Sequence, residues 1–200
     1  MKKLFTVVLV LAVAFLAASC AEQQIKRVDS DTVTDYSGRW NDTDMQLTAE
    51  KMVEEMLGRP FIGRFMKAEG RNPRIMVGEI LNKTDEHIDI DSMKKNIERD
   101  LTNSDAVEFL ASKEERAEVR TEREDMQEYS SEKTKKAFKA EIAADFMLKG
   151  VITSITDAKE GARAVYYQID MEIVNMETNQ KPWYGQKKIK KDIKNPKYGF

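Results

Sequence analysis

Cys20 is the one thiol in the 200-residue chain and His87 the one imidazole. A thiol becomes a useful nucleophile only with a base or a metal beside it, and a single Cys and a single His leave little such chemistry open. They rule out a multi-ligand Cys/His zinc site within one chain, a CxxC redox pair and an internal disulfide. Ser-His-Asp catalysis would have to use His87, which ends the polar run Asn82-Lys83-Thr84-Asp85-Glu86-His87 with no GxSxG elbow to accompany it. His87 therefore reads as an exposed or locally bonded loop histidine. Neither GxxxxGK(S/T) nor GxGxxG occurs, so no phosphate-cradling loop is present. The 35 aspartates and glutamates are too many to single out an acid/base pair. The expectation is a protein with no catalytic residues, no cofactor and no metal, hence no enzyme.

What precedes Cys20 assigns the thiol another role. Lys2 and Lys3 form a positive n-region, and Leu4 to Leu16 is apolar apart from Thr6. As a helix that run spans roughly 20 Å, short of a bilayer core of about 30 Å, and reads as a secretory h-region. Leu16-Ala17-Ala18-Ser19-Cys20 then leads small residues directly into the cysteine. The arrangement resembles a bacterial lipobox, with residues 1–19 a lipoprotein signal peptide and Cys20 an acylated N-terminus. Ala21 in place of Asp after it points to the outer membrane, with the protein facing the periplasm. Residues 20–36 then form a polar tether, reaching at most about 55 Å when stretched.

The rest is globular in composition: 41% hydrophobic, 34% charged, with 9 Gly and 4 Pro. The formal charge of −2 becomes more negative when Lys2 and Lys3 leave with the leader, which argues against a globally basic nucleic-acid binder. Order is expected from residue 37. Asn41 to Asp44 supplies caps for a helix to Leu57, with Met45, Ala49, Met52 and Met56 as its buried stripe, and Gly58 and Pro60 stopping it. Arg74 to Leu81 reads as a buried strand. Asp91 or Ser92 caps a helix carrying Met93, Ile97 and Leu101, and Ala106 to Leu110 is a second short strand. Ser112 and Glu115 form a capping box for a very charged helix to about Gln127. A helix over Glu132–Ala144, packing through Ala137, Phe138 and Ile142, leads to a third strand, Phe146 to Ile155.

Val165, Tyr167, Ile169, Met171 and Ile173 alternate with polar residues, as in a half-buried antiparallel strand. A turn at Glu177 to Gln180 leads into a last strand, Trp183 to Lys191. Asp170 and Glu172 are expected to face Lys188 and Lys190 across that hairpin. The whole is a single α/β (α+β) domain over residues 37–200, with helices flanking a mixed sheet of four to five strands.

Two charged surfaces stand out. Arg116, Arg120 and Arg123 lie within two turns of the charged helix. With the adjacent Met126 to Tyr129 turn they are a guessed partner-binding surface, because the helix is too charged to be fully buried. Lys187 to Lys197 holds six lysines and one acid, read as a lysine-decorated edge strand or as a contact for an acidic partner, anionic lipid or glycan. Trp40 and Trp183 read as core residues, as does the methionine stripe.

Several blocks together resemble the LpoB family, outer-membrane lipoprotein activators of bifunctional penicillin-binding proteins. They are Asp35 to Asp44 (DYSGRWNDTD), Val77-Gly78 with Asn82-Lys83-Thr84, Ala111 to Arg116 (ASKEER), Ala144 to Gly150 (ADFMLKG) and Trp183 to Lys191 (WYGQKKIKK). No block is a catalytic signature; the specificity lies in their order. The resemblance implies a fold similar to the N-terminal domain of TolB. It also implies binding to a class A penicillin-binding protein through that enzyme's small regulatory domain, stimulating glycan polymerisation and cross-linking. Enteric members carry a long Pro-rich tether, whereas residues 20–36 contain no proline. The competing expectation is a structural subunit of an envelope assembly or secretion complex, related to the curli-secretion lipoprotein. That reading needs extra membrane-spanning strand pairs, and none is left over.

Overall fold

The computed structural model describes residues 25–30, 32–131 and 141–194. The signal peptide expected over residues 1–19 and Cys20 lie outside the described residues, as do residues 132–140 of the helix expected over Glu132–Ala144. Its last four residues, 141–144, are irregular, and Ile142 is exposed rather than packed. Residues 34–200 make one compact unit; the short described stretch before it, 25–30 and 32–33, carries no helix or strand.

Helix α1 runs Asp42–Leu57. Asn41 caps it: its side chain accepts from the Asp44 N–H at 3.0 Å, and the Asp44 carboxylate accepts from the Asn41 N–H at 3.1 Å. Ala49, Met52 and Met56 are buried and Met45 packs beside them, as their spacing requires. Past Gly58 the chain enters α2, Pro60–Glu69, which the sequence reading missed. Pro60 starts that helix rather than only stopping the previous one, since its fixed φ suits the first turn and its missing N–H costs nothing there. Phe61 and Ile62 are buried, and the rings of Phe61 and Phe65 stand edge-on to Phe146 at 5.5 and 5.4 Å.

Strand β1 is Arg74–Lys83 and helix α3 is Ile90–Asn103. The cap of α3 is Asp89, earlier than expected, because its carboxylate accepts from the N–H of Ser92 at 3.1 Å. Met93, Ile97 and Leu101 are fully buried. Strand β2 shrinks to Glu108–Phe109, and the charged helix α4 spans Lys113–Tyr129 behind the expected Ser112/Glu115 capping box. Strands β3 (Phe146–Lys159), β4 (Ala162–Asn175) and β5 (Trp183–Lys194) follow.

These strands form one mixed sheet in the order β2-β1-β3-β4-β5. β1 runs parallel to β2 and β3, while β3–β4 and β4–β5 are antiparallel. The five alternating residues of β4, Val165 to Ile173, are all buried, and the core lies between them and helices α1 and α3.

The β4–β5 register corrects one expectation. Ile173 pairs with Trp183, which sets Asp170 opposite Gln186 and Glu172 opposite Tyr184; Lys188 and Lys190 face Gln168 and Tyr166 instead. The apolar face fixes this register, since a slip would expose Trp183. Asp170 is bonded by the amides of Gln168 and Gln186, both at 2.7 Å, and Glu172 by Lys181 at 2.7 Å.

A Cβ at Gly185 would collide with the Trp183 ring, which is itself buried. Gly185→Ala is expected to lower stability by about 2 kcal/mol, the usual cost of overpacking a core. Gly63→Ala, in α2 with nothing within 4 Å of the new methyl, is expected to raise it by about 0.5 kcal/mol. Urea unfolding of the two variants checks both signs.

Candidate partner-binding surface

Helix α4 contains no buried residue. Arg116, Arg120 and Arg123 recur at i, i+4 and i+7 and so share one face. The structure brings all three to one carboxylate, that of Glu141, in the irregular stretch before β3. Arg120 grips it with both arms of its fork, Nε to Oε1 at 2.8 Å and an Nη to Oε2 at 2.6 Å. Arg116 and Arg123 approach it at 3.7 Å. Arg116 also donates to the Ala111 carbonyl at 2.9 Å, which ties the helix start to the chain before it. The Arg120 guanidinium holds the Glu141 carboxyl below the usual glutamate range, and Arg116 and Arg123 add to that pull. Beside this stripe Val119 is exposed and Met126 half-buried.

The lysine-rich strand does not form a single patch. Lys188, Lys190 and Lys194 are exposed, while Lys191 is drawn inward. Its ammonium lies 2.8 Å from Asp35 and 2.5 Å from Asp44 and donates to the Arg39 carbonyl at 2.7 Å. Burial opposes the Lys191 charge, but the two aspartates outweigh it and raise its pKa. Lys197 lies outside the described residues.

The same ion fastens a strap, residues 35–41, of which the sequence reading left Asp35 and Tyr36 in the tether. Gly38 takes a positive φ of 64° against Ile193, where any side chain would collide. Glu86 accepts from the Trp40 N–H at 2.9 Å and from the Tyr167 hydroxyl at 2.8 Å, with the Trp40 and Tyr167 rings edge-on at 5.5 Å. Trp40 and Trp183 are thus packing residues, as expected.

His87 is exposed in its loop. Among the described residues no group of three His, Cys, Asp or Glu could hold a metal ion, and no helix is long and apolar enough to cross a membrane. What the geometry leaves at the surface is an exposed helix with arginines on one stripe and the apolar side chains of Val119 and Met126 on the next.

The fold is that of a small α+β domain with an exposed, charged helix outside its core. A family model describing the peptidoglycan-synthase activator LpoB matches residues 44–189. The chain belongs to the LpoB family. No curated protein sequence matches it. Among solved structures it is similar to the LpoB C-terminal domain from Escherichia coli, at 14% identity and TM-score 0.43, covering 73% of this chain and 98% of that one. The E. coli LpoB solution structure aligns at 13% identity and TM-score 0.39, covering 87% of this chain and 81% of that one. The LpoB C-terminal domain from Salmonella enterica aligns at 14% identity and TM-score 0.35, covering 65% and 93%.

Proposed function

We propose that this chain is a periplasm-facing lipoprotein that binds a class A penicillin-binding protein and stimulates its synthesis of peptidoglycan. The family match over residues 44–189 is the observation that carries this reading. In it, residues 1–19 are removed as a signal peptide and Cys20 is acylated in the outer membrane. The residues after Cys20 form the tether, and the α+β domain makes the contact without a reaction of its own.

The contact surface proposed is the Arg116, Arg120 and Arg123 face of α4, with Val119 and Met126 beside it. Arginine and methionine are among the residue types enriched at protein–protein interfaces relative to the rest of the surface. The tether bounds the geometry. With Asp35 fastened to Lys191, the stretch from Cys20 to Thr34 reaches at most about 50 Å, which asks the synthase to extend toward the outer membrane.

The test is affinity capture. The Cys20→Ser protein, produced behind an ordinary cleavable leader, is used as bait against solubilised envelope proteins. Recovery of a bifunctional penicillin-binding protein supports the assignment; recovery of copies of this chain alone contradicts it.

A further inference from the structure

We propose that Glu141 is an internal placeholder in the arginine cradle of α4, and that the cradle's ligand is an acidic side chain of the protein partner, taken in exchange for it. This rests on the reading that the chain works by binding a protein, and not on which synthase it binds.

Among the described residues the charges do not close within the cradle. Three guanidiniums converge on one carboxylate. Of the three, Arg120 alone meets it fork-to-carboxylate, at 2.6 and 2.8 Å. At 3.7 Å, Arg116 and Arg123 are beyond hydrogen-bond distance of Glu141. Arg123 has no other hydrogen bond or ion pair among the described residues, and Arg116 has only a carbonyl.

The helix's own acids do not answer this surplus. Glu124 stands four residues after Arg120, a spacing that allows an ion pair, yet neither it, Glu118 nor Glu122 lies within 4 Å of these arginines. Elsewhere the balance is reversed. Lys191 has Asp35 and Asp44 on it, and Lys95 has Glu98 and Glu115.

Exchange is energetically easy. The side chains of Arg120 and Glu141 are 51% and 29% exposed, and water screens an ion pair at that exposure, so little holds it closed. A second carboxylate arriving on a partner meets forks already ordered for bidentate capture, with two arginines still to be filled. Val119 and Met126 on the neighbouring stripe then give the same partner an apolar footing.

The experiment uses the full chain in detergent and a fluorescent hexaglutamate peptide as probe. Glu141→Gln, nearly isosteric, is expected to tighten binding about tenfold, the change expected when one competing charge-assisted contact is removed. Its unfolding midpoint should stay near that of the parent. R116E/R120E/R123E is expected to abolish binding, and K187E/K188E/K190E to leave it unchanged. Equal affinities for Glu141→Gln and the parent would overturn the placeholder, and binding that survives the triple arginine reversal would overturn the cradle. Failure to capture a synthase while the peptide pattern holds would instead count against the synthase assignment alone.

Discussion

Cys20→Ser is expected to abolish incorporation of labelled palmitate and, behind an ordinary cleavable leader, to release the protein into the soluble periplasmic fraction. The effect is close to all-or-none because a serine hydroxyl offers no thiolate to take the diacylglyceryl group. The apolar stretch before Cys20 amounts to roughly 20 Å of helix, and none of the described helices is long and apolar enough to span. Each buried methylene of an acyl chain contributes about 0.8 kcal/mol, so several chains give firm anchoring where one is marginal. Detergent phase partition reads the result directly. The parent should enter the detergent phase and the variant the aqueous phase; palmitate label persisting in the variant would contradict the assignment.

Asp145→Ala is expected to be the most damaging single change among the charged residues. Its carboxylate receives both arms of the Arg71 fork, at 2.7 and 2.8 Å, and the Arg74 N–H at 2.7 Å. Its backbone adds two more links. The Asp145 N–H donates to the Arg74 carbonyl, and the Asp145 carbonyl accepts from the Met176 N–H, each at 2.9 Å. One residue thus holds the starts of β1 and β3 to the end of β4. Removing it leaves the half-buried Arg71 guanidinium only the Asn72 carbonyl, at 3.1 Å, and takes the acceptor from the Arg74 N–H.

Hydrogen bonds to charged groups carry about 1.5–3 kcal/mol each with poor additivity, so a loss of about 3 kcal/mol, or roughly 6–12 °C in Tm, is expected. The pH dependence has a definite sign. Burial raises the carboxyl's pKa, but the Arg71 and Arg74 contacts outweigh it, and the folded value lies below the ordinary one near 4. Stability from this group is therefore present above about pH 4 and lost as pH falls through the folded value. Asp145→Asn should show a shallower decline in Tm than the parent between about pH 5 and pH 2. A parallel decline in the two proteins would remove Asp145 as the acid-sensitive hub.

The parts of this fold legible in the sequence are those where a single face is buried. Val165 to Ile173 alternates because β4 has the core on one side and polar neighbours on the other. Met93, Ile97 and Leu101 repeat at helical spacing because only one side of α3 meets the sheet. Where two readings share the same residues, the sequence misleads. Pro60 marks both the end of α1 and the start of α2, and Gly63 inside α2 weakens its propensity further.

Contacts between distant segments were not legible at all. Asp35 and Lys191 have nothing in their local patterns to couple them. Glu141 gives no local sign that it will receive Arg116, Arg120 and Arg123. Register across β4–β5 is set by Trp183 seeking the core, not by the charges whose spacing suggested a different pairing. The arginine stripe itself was legible, because seventeen residues with so few apolar positions cannot bury a helix; what it touches was not.

The central claim is tested most directly by adding the purified protein to a purified bifunctional penicillin-binding protein and following glycan-chain polymerisation from lipid-linked precursor. The account predicts a faster rate with the parent chain and no acceleration with R116E/R120E/R123E. An unchanged rate under a saturating excess of the parent, with every bifunctional synthase of the same envelope, would contradict it.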